Sequence, residues 1–129
     1  MDEVLDFLKK CETYYLATVE GDQPRVRPFG TINEYQGRLY IQTGKVKNVS
    51  AQLHANPKVE LTAFDGHQWL RVTAFAVEDP DLAAQQDMLD HYPTLTMYAA
   101  GDGNTEVFYL KDATATFSSF TTEPRTISF

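Results

Sequence analysis

Cysteine is almost absent from this chain. Cys11 is the only one, so no internal disulfide can form and no thiolate metal cluster can assemble, a pattern expected of a reducing cytoplasm. Long apolar runs are missing as well. No segment approaches the roughly 20 apolar residues that cross a bilayer as a helix, so a soluble protein without a membrane partner is expected. Positive charge is scarce: eleven Lys and Arg stand against eighteen Asp and Glu, for a net charge of −7. Such a surface repels nucleic-acid phosphates and anionic membranes, and an anionic ligand can be held only where a few basic residues gather locally. Several motifs are absent too. The chain contains no G-x-S-x-G, no complete P-loop G-x-x-x-x-G-K-[ST] and no dinucleotide G-x-G-x-x-G. His54, His67 and His91 lack i,i+4 or H-x-E-x-H spacing, so no metal site is expected from the sequence.

The remaining composition is that of an ordinary globular protein, with 43% hydrophobic and 22% charged residues. A chain of 129 residues can bury about two-thirds of its unfolded surface in one core, so a single domain spanning 1–129 is expected. Its first ten residues carry acids ahead of the apolar positions and lysines behind them, the reverse of a signal peptide's order. Val4, Leu5 and Leu8 fall at helical spacing there, predicting an amphipathic helix over 2–11.

Further on, the pattern changes to short alternating runs separated by turns. Strands are predicted over 14–19, 24–32 and 38–43, then a helix over 46–55 that stops at Asn56-Pro57, because a residue before proline avoids the helical region. Alternation resumes over 58–64 and 68–77 around Asp65-Gly66, the strongest hairpin turn in the chain. Asp79-Pro-Asp81 caps a third helix reaching His91, with Pro80 in its first turn. A last hairpin is predicted from Glu106–Leu110 and Ala113–Phe120 around Lys111-Asp112, followed by a terminal strand over 126–129. About six strands joined by tight turns, with short helices after the third and fifth, predict an all-β core: an antiparallel Greek-key barrel or sandwich with added helices.

The densest gathering of anion-binding groups is Tyr40-Ile-Gln-Thr-Gly-Lys-Val-Lys-Asn-Val-Ser50, where a strand breaks at Gly44 and a helix begins. A helix start offers unpaired N–H groups and the positive end of a dipole, so the hydroxyl, lysines and asparagine at this break suit a phosphate. Lys45 and Lys47 read equally well as solvated charges. Arg25 and Arg27 alternate on one strand face, either guarding a sheet edge or, with Phe29, lining a pocket for a flat anion that guanidinium can bind and stack upon. Trp69 and Arg71 share a face in the same way, as core or as an aromatic ligand surface.

The succession of a helix, a hairpin holding Pro24-Arg-Val-Arg-Pro-Phe-Gly30, a strand ending Gln42-Thr43-Gly44, and Lys47-Asn48-Val49 leading to Asn56-Pro57-Lys58-Val59 resembles the FMN-binding split-barrel superfamily. Trp69-Leu-Arg-Val72 and Glu106-Val-Phe-Tyr-Leu110 extend the likeness over nearly the whole chain, which is similar to the small pyridoxamine 5'-phosphate oxidase-like proteins of the general-stress-protein type. The resemblance implies a split β-barrel and a homodimer holding two FMN molecules in clefts between subunits. It assigns Arg27, Pro28 and Phe29 to the strand lining the flavin, Gln42 and Thr43 to the strand end near the ribityl phosphate, Lys47 and Asn48 to the phosphate-contacting helix start, and Trp69 to the facing strand pair. The oxidase's usual basic phosphate pair is here Asn48-Val49, and its C-terminal substrate segment is missing, since Pro124-Arg-Thr-Ile-Ser-Phe129 does not replace it. An FMN-dependent oxidoreductase drawing on NADH or NADPH, with a substrate other than pyridoxamine phosphate, is therefore expected. The alternative is a non-catalytic binder of flavin, deazaflavin or haem serving as carrier or stress-linked sensor.

Overall fold

The computed structural model describes residues 1–129. The elements are α1 (Asp2–Cys11), β1 (Tyr14–Glu20), β2 (Gln23–Phe29), β3 (Asn33–Tyr35), β4 (Arg38–Gly44), α2 (Asn48–Ala55), β5 (Lys58–Phe64), β6 (Gln68–Asp79), α3 (Leu82–His91), β7 (Thr105–Ser119) and β8 (Arg125–Ser128). The strands form one antiparallel sheet of order β2-β1-β5-β6-β7-β4-β3, with β8 against β7. Eight strands form rather than about six: β3 has no predicted counterpart, β8 is the expected terminal strand, and β7 takes up both arms of the predicted last hairpin. The expected all-β core with added helices is present. The sheet does not close: β2 and β3 are its edges.

Alternation puts one face of every central strand into a common core. The row Arg27, Leu16, Leu61, Val72 and Ala115 crosses five strands on the inner side, and from Leu16 onward these residues join Leu39, Ile41 and Phe108 in one cluster. Strands so distant in the sheet order share a core only if the sheet curls. Two helices cover this core. α1 sends Val4, Phe7 and Leu8 into it, with the Phe7 and Phe117 rings edge to face at 5.5 Å. α2 contributes Val49 and Leu53, each such buried side chain stabilising by about 1.5–3 kcal/mol. α3 packs outside the sheet, where Ala84 and Met88 meet Tyr40 and Val107.

The expected last hairpin is not formed. Glu106 to Phe117 runs through one continuous strand, and Lys111-Asp112 is a β-bulge within it. Between the Thr73–Thr114 and Phe75–Lys111 pairs, Asp112 and Ala113 of β7 oppose Ala74 alone on β6, and Asp112 takes a positive φ of 52°. The long strand β6 pairs with both halves and keeps them collinear, while Ala113 exchanges N–H and C=O bonds with Phe129 at 2.8 and 2.9 Å. Two helix starts also differ from expectation. Asp81 is the cap of α3, accepting from the Ala83 N–H at 3.0 Å, so Pro80 precedes the helix. Helix α2 begins at Asn48 because the three residues before it are held in a turn by other partners.

Candidate functional site

At the break between β4 and α2, most backbone donors are already engaged. The N–H groups of Lys45 and Val46 bond the carbonyl and side-chain oxygens of Asn104 at 2.8 and 3.2 Å, and Lys47 N–H bonds the Gly44 carbonyl at 3.0 Å. Ser50 N–H reaches the Lys47 carbonyl at 3.1 Å. The N–H groups of Asn48 and Val49 have no partner, and no side chain caps the helix. Two open donors therefore stand at the positive end of α2. Thr43, on the inner face of β4, also has an unpartnered hydroxyl, and Lys45, Lys47 and Asn48 are exposed in the turn and helix start that follow it. This donor set of a hydroxyl, two backbone N–H groups and an ammonium fits a phosphate.

Gly44 is required here by close packing. A Cβ at that position would lie 3.0 Å from Asn104 Nδ2 and from Tyr98 Cε1. Asn104 is fixed in turn by Asp102, whose carboxylate accepts from the N–H groups of Ala99, Asn104 and Thr105 at 2.7–3.1 Å and from the Thr105 hydroxyl at 3.0 Å. The backbone bonds from Thr105 and Asn104 hold the Asp102 pKa down at about 2.

Arg27 lies directly opposite Leu16, which turns its side chain to the inner face. Its Nη1 donates to the Leu16 carbonyl at 3.2 Å and the Thr18 hydroxyl at 2.7 Å, and its Nη2 donates to Gln52 Oε1 at 2.5 Å. The Thr18 hydroxyl donates to that same oxygen at 2.5 Å. Burial, and secondarily Arg25, lowers the Arg27 pKa, and a guanidinium remains charged throughout the accessible range. Gln52 is one turn beyond Asn48, so this network sits about 6 Å along the axis of α2 from the open N–H pair. Arg25, on the same strand, is solvent-exposed and pairs with Glu20 at 2.9 Å.

The other sequence candidates do not converge on this point. Phe29 turns inward, its ring 6.0 Å from that of Tyr14. Pro28 is exposed on the opposite face of the same strand. Gln42 lies on the face of β4 covered by α3 and donates its amide to the Thr43 carbonyl at 3.1 Å. Trp69 is on the outer face at another end of the sheet, its ring 5.1 Å from that of Phe120. That outer face is sparsely covered: Tyr15, Val26 and Phe64 are 50%, 68% and 59% exposed. It also bears a groove of about 460 Å³ lined by Ala17, Val19, Pro24, Glu60, Thr73 and Phe75 among others. Burial raises the Cys11 pKa, which disfavours the reactive thiolate.

Some residues of the neighbourhood carry no sequence signal. Thr18, Gln52, Asp102 and Asn104 belong to no motif, and only pairing brings them to the site. Glu106, the cross-strand partner of Thr43, is 1% exposed and accepts from the Ser50 hydroxyl at 2.6 Å. Its other oxygen is 2.8 Å from His54 Nε2, which also stands 3.5 Å from Glu78. These three residues come from separate stretches of sequence, so spacing could not have joined them.

A family model described as pyridoxamine 5'-phosphate oxidase matches residues 1–119. No curated protein matches the sequence. Among solved structures, a NimC/NimA family protein from Clostridium acetobutylicum is 41% identical with a TM-score of 0.96, covering 100% of this chain and 92% of that one. General Stress Protein 26 from Bacillus anthracis is 16% identical with a TM-score of 0.76, covering 98% of this chain and 97% of the other. A heme binding protein from Mycobacterium smegmatis shares the fold at 15% identity and a TM-score of 0.69, over 91% of this chain and 52% of that one.

Proposed function

The chain belongs to the pyridoxamine 5'-phosphate oxidase family and to the NimC/NimA family of its 41%-identical relative, and on that footing we propose that it is an FMN-binding oxidoreductase acting on a small molecule. The observation that carries this reading is the open N–H pair of Asn48 and Val49 at the uncapped start of α2, in the same β4–α2 break as the unbonded Thr43 hydroxyl. A phosphate dianion placed there would accept from all three groups. Lys47 would neutralise part of its charge, and we favour it over Lys45 because it stands at the cap position of α2 itself. Arg27, one turn further on, has three of its bonds committed to the protein and, with five donors in total, keeps two for the polar rim of a ring system.

Bound at this place, FMN would supply hydride or electron transfer, with NADH or NADPH as the donor class. The chain's own residues would hold the phosphate, orient the ring and restrict water. The rest of the pocket we assign to a second copy of the chain, whose uncovered outer face offers apolar area and an indole, the partner's Trp69. Haem in the same cleft is the rival, since a heme binding protein uses this fold.

The test is the absorption spectrum of the purified protein after addition of FMN and gel filtration. Flavin bands that stay with the protein, and bleach on anaerobic mixing with NADH or NADPH, are the expected result. A colourless protein would overturn the cofactor assignment, retained flavin that no donor bleaches would favour the non-catalytic carrier, and a Soret band after haemin addition would favour haem.

A further inference from the structure

We propose that His54, Glu78 and Glu106 form a binding site for one divalent transition-metal ion of the Zn²⁺ class. This inference is independent of the flavin reading and runs against the expectation from histidine spacing, because the ligands are gathered by three different elements. His54 projects from α2, Glu78 from β6 and Glu106 from β7. Glu78 is paired with Phe108, two residues along β7 from Glu106, so both carboxylates rise from the inner face of adjacent strands beneath the end of the helix.

The donor atoms are already close to ligand positions. His54 Nε2 is 2.8 Å from Glu106 Oε2 and 3.5 Å from Glu78 Oε1, and the three donor atoms lie within 4.8 Å of one another. An ion about 2.0–2.2 Å from each of two ligands separates them by roughly 2.8–3.6 Å at octahedral or tetrahedral angles. Both His54 separations already fall in that range, and rotation of the partly exposed Glu78 side chain brings its oxygen, within 4.8 Å of the Glu106 oxygen, onto a shared ion. Three protein ligands leave at least one position for water, an open coordination sphere. One imidazole with two carboxylates suits zinc and its first-row neighbours better than magnesium or calcium, which prefer all-oxygen shells.

The surroundings have the other parts of a built site. Ser50 donates at 2.6 Å to the Glu106 oxygen that faces away from His54, which fixes the orientation of that carboxylate. Phe108 packs its ring 5.5 Å from the imidazole and limits its rotation. Glu106 is 1% exposed at the bottom, while the side chains of His54 and Glu78 are 47% and 29% exposed, leaving an entry path from solvent. Two carboxylates carry more negative charge than one imidazolium can cancel, whereas a dication balances them.

The experiment uses the full chain, stripped with a chelator, and measures Zn²⁺ uptake by competition with a chromophoric zinc indicator. One equivalent is expected to bind. His54→Gln should weaken it by about a hundredfold and Glu78→Gln by at least about tenfold, since even outer partners of metal ligands cost ten to a hundredfold. Cys11→Ser and His91→Gln should leave the affinity unchanged. Both ligand positions are partly exposed, and circular dichroism checks that their variants fold. Absence of stoichiometric uptake by the wild-type chain overturns the proposal and leaves His54 as an ion-pair partner of the two carboxylates. Uptake that persists in both variants overturns it equally, as adventitious surface binding.

Discussion

Thr43 of β4 and Trp69 of β6 pair with opposite ends of the same long strand, β7. Thr43 is paired with Glu106 near the start of β7, and Trp69 with Ser118 near its end, roughly 40 Å of chain apart at the usual rise per residue. Arg27 is on the inner face of the sheet and Trp69 on the outer, so a single copy of the chain cannot close one pocket with all three. If Trp69 serves the proposed flavin, it does so from a partner. Phe64→Asp, placed on the exposed apolar face, should then give a monomer in sedimentation analysis and abolish FMN quenching of Trp69, the only tryptophan. Full quenching in a monomeric variant would refute the shared pocket.

Removing the phosphate donors should weaken the cofactor without unfolding the chain. Lys47 is exposed and the Thr43 hydroxyl makes no bond within the protein, so Lys47→Ala with Thr43→Ala leaves no protein group newly unpaired. Charge-assisted bonds contribute about 1.5–3 kcal/mol each before solvent screening, so an increase in the FMN dissociation constant of about 10–100-fold is expected by titration. Unchanged affinity would place the phosphate elsewhere.

Arg27→Ala tests a group with two roles. The substitution removes the donor to the Leu16 carbonyl, Thr18 and Gln52 together, and should cost about 1–3 kcal/mol in urea unfolding. Arg27→Lys cannot reproduce the forked contacts and should recover only part of this. Both variants should also change the spectrum or affinity of bound flavin. A loss of stability with neither change would confine Arg27 to the Thr18–Gln52 network.

Gly44→Ala should destabilise through contact alone, since its new methyl would press on Asn104 and Tyr98 at 3.0 Å. Displacing Asn104 releases the Lys45 and Val46 N–H groups, so a cost of about 1–3 kcal/mol and poorer FMN retention are expected together. A thermal transition equal to wild type would show that the 98–104 segment yields freely.

Acid should loosen the same segment through Asp102. Its folded pKa of about 2 lies below the ordinary 3.8, so its contribution is complete above about pH 3.8 and is lost as pH falls toward 2. Asp102→Asn should reduce this acid dependence, as measured by limited proteolysis at Tyr98–Gly103 between pH 4 and 2. An identical pH profile in the variant would remove Asp102 from the account.

The sequence determined whatever depends on near neighbours. Helix α1 follows from apolar spacing, the β5–β6 hairpin from Asp65-Gly66, whose carboxylate accepts the His67 and Gln68 N–H groups at 2.9 and 2.8 Å, and the open donors at Asn48 from a strand that breaks before a helix. The tertiary structure decided what depends on pairing between distant segments. Lys111-Asp112 has the local chemistry of a turn, yet β6 runs past it and makes it a bulge. Arg27 has an edge-strand pattern, but its register against Leu16 delivers it to Gln52. Gly44 looks like a flexible break and is instead filled by Asn104 from a loop that shares no motif with it. His54, Glu78 and Glu106 are unrelated in spacing and meet because β6 and β7 pair beneath α2. Turn chemistry and periodicity act over a few residues and can be read along the chain, whereas register and core packing are properties of the whole sheet and fix which side chains face one another.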